Sequence, residues 1–434
     1  MASAQYVKSV LERFKLNQKY SGIEGLNELL VDISNLIKSG DFIQAEKMTS
    51  YGIGLTASPT DLEYPMIGAM LLDQKAFALR KLGRNADADT FDGLAKEVLD
   101  VVAFKNKLAE ATELVKAAKF HASYGNVSKA NYYRDAARSI DVSNASDSEL
   151  VDMKELLAQT SLLLEENSEA EAAFIEVISI LKDLKLKDFA TRILLSYNYL
   201  LIVTEGDEQK SVMHSRDALS FADSIGFSEC EPGLLDPLIF QSHAHASHDP
   251  EVNLYLLNAI EDVIATRSSD KLPDYVWSIY VDCCVNEYAE NAALDDISYA
   301  LIRTEKCLAA VESSDRPDLI PKAQWLAAYL LASKDGRQAS TLASRAVNAC
   351  RASGNTQAPF YASALVICAD SHFAMHQLPK AVAEYEEALQ IMKTRFGDGS
   401  KLVLHCSERL HKIKEKSNKP VSAPQGHKGG KRKK

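Results

Sequence analysis

The sequence predicts an all-α fold, a solenoid of stacked antiparallel helix hairpins, and three observations predict it. Small residues recur on a fixed grid: one in a helical stretch, a second twelve residues later, and a third seven beyond that. The grid itself returns about every 40 residues along most of the chain. Only 19 Gly and 12 Pro punctuate the 434 residues, too few for the turn every eight to twelve positions that an all-β sandwich needs.

The last copy shows the logic. In KAVAEYEEALQI, Ala381, Tyr385 and Ala388 stand at i, i+4 and i+7 on one helix face, and Ala369 lies twelve residues before Ala381. Small side chains at the three Ala positions let two antiparallel helices approach closely, and the larger residue fills the gap to the next hairpin. From the N-terminus the same grid begins weakly at Ile33, Ala45 and Gly52. It is strong at Ala76, Ala88 and Ala95, at Ala118, Ala130 and Ala137, and at Ala158, Ala170 and Val177. It weakens at Tyr199, Ser211 and Ala218 and at Tyr288, Ala300 and Cys307, then is strong again at Ala327, Ala339 and Ala346. The step from Ser211 to Ala300 is about double the others, so a copy is hidden there, and HDPEVNLYLLNAIEDVIATR, from His248 to Arg267, is its expected second helix. The expectation is about nine hairpins over residues 1–416, irregular around 225–270.

Local signals place the hairpin ends. SGDF, LGRN, YGNV and KDGR stand before Ala45, Ala88, Ala130 and Ala339 as turns between paired helices. Ser146 followed by Glu149 reads as a capping box ahead of ELVDMKELLAQTSLLL, while Pro273 and Pro359 lie just ahead of helical stretches.

On these residues, from about Leu26 to Met392, the chain resembles the tetratricopeptide repeat family. It resembles an extended-helix form: the period exceeds the usual 34 residues by about six to eight, and the Trp near the start of the standard repeat is absent. In this it is similar to kinesin light chain and Pins-type adaptors and to scaffold subunits of large assemblies. The resemblance implies a right-handed superhelix whose inner wall, made by one helix of each pair, takes an extended peptide or a partner helix. Carried into this numbering, the wall positions fall near Phe77, Lys119, Gln159, Leu200, Gln324 and Asp370, a mixed set. The Lys and Asn with which the co-chaperone subclass clamps a carboxylate are missing, since Val115 and Lys119, and Ser196 and Leu200, hold the matching places.

Composition limits the function classes. With 46% hydrophobic and 25% charged residues and a mean hydropathy of −0.16, the chain has ample material for a core and reads as an ordinary soluble protein. The first twenty residues carry no signal-peptide core, and the nearest approach to a membrane helix, Ile193 to Thr204, is short and includes Ser196 and Asn198. Seven Cys, all in the second half and without CxxC spacing, fit buried thiols in a reducing compartment. From Lys412 onward, nine Lys and Arg stand against one Glu, and residues 417–434 read as a disordered basic tail ending in Lys428, Lys431, Arg432, Lys433 and Lys434. That cluster suits an import receptor or a polyanion, or simple solubility, without interleaved aromatics to stack on bases. A cytoplasmic location follows, with a nuclear one if the tail is an import signal.

The chemistry of a catalytic site is not legible. There is no Walker A loop, GxGxxG, GxSxG or HExxH. His243, His245 and His248 in HAHASH do not share one helix face, and Cys283 and Cys284 sit at core spacing with Trp277 and Tyr280. The expectation is a non-enzymatic scaffold or adaptor, without cofactor or metal, that holds one or more proteins in its groove. The alternative is a fixed subunit of a proteasome-lid, signalosome, cohesin-loading or anaphase-promoting type of assembly. A lid-type subunit would add a winged-helix module after the last repeat, where this sequence reads as one helix and the tail.

Overall fold

The computed structural model describes residues 19–56, 64–184, 188–267, 272–293 and 298–417. Of these residues 82% are helical, in nineteen α-helices with no strand among them. The chain divides into two compact units, Met1–Asp207 and Glu208–Lys434.

The first unit holds α1 (Gly22–Lys38), α2 (Phe42–Thr56), α3 (Pro65–Lys81), α4 (Asn85–Asp100), α5 (Lys107–Ser123), α6 (Val127–Arg138), α7 (Asp147–Leu163), α8 (Asn167–Leu184) and α9 (Phe189–Thr204). Here α1, α3, α5 and α7 each pack on the even-numbered helix that follows, α9 packs on α8, and α1 also packs on α3 and α5 on α7. The second unit runs through α10 (Glu208–Ile225), a 3₁₀ turn at Phe227–Glu229, α11 (Pro232–His243), α12 (Pro250–Thr266), α13 (Asp274–Ala293) and α14 (Ser298–Glu312). It continues with α15 (Ile320–Leu331), α16 (Gly336–Ala352), α17 (Pro359–Ala374), α18 (Leu378–Phe396) and α19 (Lys401–Ser417). Here α11, α13, α15 and α17 pack side by side in the same way.

The small-residue grid is the packing code. Ala76, Ala88 and Ala95, Ala118 and Ala130, Ala158, Ala170 and Val177, and Ala369, Ala381 and Ala388 are wholly buried. At the weak copy in α2, a Cβ on Gly52 would stand 2.8 Å from a Leu29 methyl, so glycine is what the helix contact admits. Tyr133, Phe174 and Tyr385 fill the spaces between hairpins and are themselves fully buried, each worth about 2 kcal/mol of apolar transfer. The two weak copies that begin with Tyr199 and Tyr288 leave those rings only half-buried. The hidden copy is the hairpin of α11 and α12. Its first helix is short and carries Pro237 in its interior, which removes one backbone donor, and its grid has decayed accordingly.

The turns share one backbone solution. Gly40, Gly83, Gly125, Glu165 and His376 all have positive φ, and each stands five residues before the second anchor of its copy. In each, the next residue's N–H reaches back across the turn: Asp41 to Leu36, Arg84 to Leu79, Asn126 to His121, Glu166 to Ser161 and Gln377 to His372. This left-handed C-terminal motif satisfies carbonyls that the helix end would orphan. KDGR behaves differently: Gly336 opens α16 instead of closing the turn, because the Asp335 carboxylate caps the helix by accepting from the N–H groups of Arg337 and Gln338. At the start of α7, Glu149 accepts from both the N–H and the hydroxyl of Ser146, 2.9 and 2.7 Å. Pro273 precedes α13 and Pro359 opens α17.

Candidate functional site

In the second unit the odd-numbered helices present one shared face, and side chains bridge them rung by rung. Phe240 of α11, largely exposed, meets Tyr275 of α13 edge to face at 5.2 Å. Asp282 of α13 faces His243 of α11 at 3.6 Å and accepts a hydrogen bond from the Lys322 ammonium of α15. Farther along the same helices, the rings of Tyr288 and Tyr329 meet at 5.1 Å, and Trp325 lies 6.0 Å from Phe360 of α17. The final rung is Asp370 of α17, which accepts from the guanidinium of Arg409 in α19 and the hydroxyl of Tyr385 in α18.

Two adjoining cavities open on this face. The larger, about 560 Å³, is lined by Tyr288 of α13, Tyr329 of α15, Val366, Ile367 and Asp370 of α17, and His405 and Arg409 of α19. The smaller, about 430 Å³, shares Asp370 and Arg409 and reaches Lys412 and Glu415 near the end of α19. The groove is therefore mainly aromatic and aliphatic with an ion pair in its middle, a surface suited to holding a side chain or short segment of another chain.

Electrostatics keep the groove's groups in fixed states. Burial lowers the pKa of His243, with Asp282 opposing and Lys322 adding to the effect, so the ring is neutral at neutral pH. Burial and the Asp370 carboxylate push the Tyr385 hydroxyl up, which keeps it a donor. Burial alone would lower the pKa of Arg409, but Asp370 and Tyr385 outweigh it. The Cys406 thiol on the cavity wall is pushed up by burial and stays protonated.

The positions expected on the inner wall divide. Asp370 lines both cavities. Gln324, on α15, is nearly buried and turns its amide toward Glu312 of α14 at 3.4 Å. In the first unit Lys119 donates to Gln159 across α5 and α7, so these two meet each other, and burial lowers the Lys119 pKa. Phe77 is half-buried against Tyr124 at 5.6 Å with the Lys81 ammonium above it. Leu200 is only 1% exposed, because its face of α9 turns into the core, and it has no surface to offer. The three His of HAHASH do not converge on one group: His243 faces Asp282, whereas His248 lies 3.7 Å from Glu208, whose charge also acts on His245. Among the described residues no group of three or more His, Cys, Asp or Glu could hold a metal ion, and no helix is long and apolar enough to cross a membrane. The basic cluster at Lys428, Lys431, Arg432, Lys433 and Lys434 lies outside the described residues.

Sequence reasoning missed a buried polar knot in the first unit. Asp73 of α3, without solvent exposure, accepts from the Tyr133 hydroxyl at 2.6 Å and pairs with the Lys129 ammonium at 2.6 Å, both from α6. His121 of α5 is 3.4 Å away and stacks on Tyr133 at 5.2 Å. Burial would raise the Asp73 pKa, but His121 and Lys129 overcome it and hold the carboxyl below its usual range. The available signal was an acid inside the apolar run IGAMLLDQKAFAL.

No protein-family model matches the chain, and no curated protein matches it. Among solved structures it is similar to the crystal structure of the apo form of RapI, at 10% identity and a TM-score of 0.35 over 86% of this chain and 99% of that one. It is also similar to a circular tandem repeat protein with novel repeat topology and enhanced subunit contact surfaces, at 13% identity and a TM-score of 0.19 over 91% of each chain. Likeness this distant carries nothing about function.

Proposed function

We propose that the chain is a non-enzymatic protein-interaction scaffold of tetratricopeptide type, which holds a segment of a partner protein on the odd-numbered helices of its second unit. The observation that carries this reading is the groove, which Tyr288 and Tyr329 line together with Val366, Ile367 and the Asp370–Arg409 pair, with Trp325 against Tyr329. Aromatic anchors in a concave, partly desolvated site are the composition of binding hot spots. The weak small-residue code at Tyr288 supports the reading too, since a ring left half-buried adds little to packing. Under this reading the chain works in the cytoplasm or nucleus and needs no cofactor.

The test is purification of the tagged chain and its Tyr329→Ala variant from native extract, comparing proteins recovered in stoichiometric amount. Tyr329 is 41% exposed, so its loss leaves the fold intact, checked by circular dichroism. Partners recovered by the parent and lost by the variant support the groove. Identical partner sets with both chains would remove it as the binding surface.

A further inference from the structure

The exposed face of α16 carries charge that the fold does not use. From Gly336 to Ala369 the chain has three Arg and no Asp or Glu, although it holds 60 acids in 434 residues. Ala339, Ala343, Ala346 and Val347 bury one side of α16, which packs on α15 and α17. On the other side Arg337, Thr341, Arg345 and Asn348 stand exposed at i, i+4, i+8 and i+11, one continuous stripe.

Eleven of the fourteen arginines among the described residues have a carboxylate in ion-pair reach. Arg337 and Arg345 are not among them. The acids of α18, which Arg351 reaches from α16, are already taken: Glu384 faces His372, Glu386 faces Lys414 and Glu387 faces Arg351 itself. Asp335, at the edge of the stripe, is engaged as the cap of α16. Beside it Lys334 adds a third cation, whose ammonium meets the Ser298 hydroxyl at 3.2 Å. Arg337 also stands in the first turn of α16, the positive end of the helix dipole, where a cation is disfavoured. Arg337 and Arg345 lie about 12 Å apart along the helix. They frame an open depression of about 380 Å³ that Gln338, Thr341 and Leu342 also line. The Thr341 hydroxyl turns back to the Arg337 carbonyl at 3.0 Å, which leaves the two guanidinium groups and the Gln338 amide as the donors of this face.

We propose that the exposed face of α16 docks an acidic segment of a partner protein, whose carboxylates pair with Arg337 and Arg345. Guanidinium forks match carboxylates in geometry as well as charge. Nucleic acid suits the face less, because its binding grows with the number of phosphates neutralised and with base stacking, and no aromatic ring lines the depression. This surface is separate from the groove, since no residue of α16 lines either groove cavity, and it stands whether or not the groove takes a partner.

The test uses the full chain with Asn348→Cys carrying a thiol-reactive fluorophore, a selective label because the seven native thiols are buried. Its emission reports contact at α16 and is silent to binding at other basic residues. Titration with dodeca-glutamate at low salt is expected to give a saturable change. Arg337→Ala combined with Arg345→Ala should weaken it at least about tenfold, with the fold unaltered by circular dichroism because both positions are exposed. Lys96→Ala with Lys105→Ala, which removes equal charge from exposed positions of the first unit, should leave affinity within about twofold. A twelve-residue oligothymidylate should bind at least about tenfold more weakly than the peptide. No saturable change, an unchanged titration after the two Arg substitutions, or an equal loss from the Lys pair overturns the proposal. Oligothymidylate as tight as the peptide overturns it in favour of a nucleic-acid face. Tyr329→Ala should change nothing here, and a loss there would move the peptide to the groove and overturn the proposal as well.

Discussion

Arg409 on α19 closes on the Asp370 carboxylate of α17, and the same carboxylate receives the hydroxyl of Tyr385 from α18. Three consecutive helices thus meet at one acid in the middle of the groove. The ion pair is 43% exposed on both sides, so its worth to folding is at most about 1 kcal/mol. Arg409→Ala is expected to leave the denaturant midpoint nearly unchanged while reducing partner recovery. A loss of several kcal/mol in stability would instead make this pair a structural brace.

The Asp73 knot should behave in the opposite way. Its carboxyl is held below the usual range in the folded chain, so the stability it contributes is fully present above about pH 4, where the unfolded carboxyl is also ionised. That stability is lost as pH falls through the lower folded value. Asp73→Asn strips Lys129 and His121 of their common partner and should destabilise the first unit by about 3 kcal/mol at pH 7. It should also flatten stability against pH below 4. Urea midpoints measured at pH 7, 4 and 3 for both chains decide the matter.

Glu165 and His376 occupy the left-handed turn position that Gly40, Gly83 and Gly125 fill elsewhere. A side chain there costs about 1 kcal/mol, partly offset by the greater freedom of glycine in the unfolded chain. Glu165→Gly and His376→Gly are each expected to stabilise by about 0.5 kcal/mol, and Gly83→Ala to destabilise by about 1 kcal/mol. Thermal melts that rank the three the other way would show that the turns do not control the hairpins.

The anchors give a sharper handle on packing. Ala88 has no exposed surface, and a leucine there must push α3 and α4 apart. Ala88→Leu should cost about 1–3 kcal/mol or more, whereas the same change at the neighbouring exposed position, Ala86→Leu, should cost less than about 0.5 kcal/mol. Equal effects would mean that the recurrence of small residues is not the packing code.

The hairpins were legible because close helix contact admits few side chains, and Ala or Gly at three spaced positions is a strong restriction. Glycine marked the turns at Gly40, Gly83 and Gly125, where it stands at the left-handed residue; Glu165 and His376 take the same conformation with no mark in the sequence. The site was harder to see. The repeat frame set Asp370 at a position that lines both cavities and, by the same frame, Leu200 at one that is buried. The aromatic rungs depend on which helix lies beside which, as with Trp325 and Phe360, and no local spacing encodes that. Asp73 was hidden by its apolar neighbours, since its partners His121, Lys129 and Tyr133 come from helices far along the chain.

The seven cysteines, at 230, 283, 284, 307, 350, 368 and 406, are all buried, and all belong to the unit that begins at Glu208. Both tryptophans, Trp277 and Trp325, belong to it too. Tryptophan emission and thiol alkylation in the unmodified protein therefore watch the second unit alone. Circular dichroism watches both. If the two halves come apart at different urea concentrations, the chain carries its own reporters to separate them, with no label to be introduced.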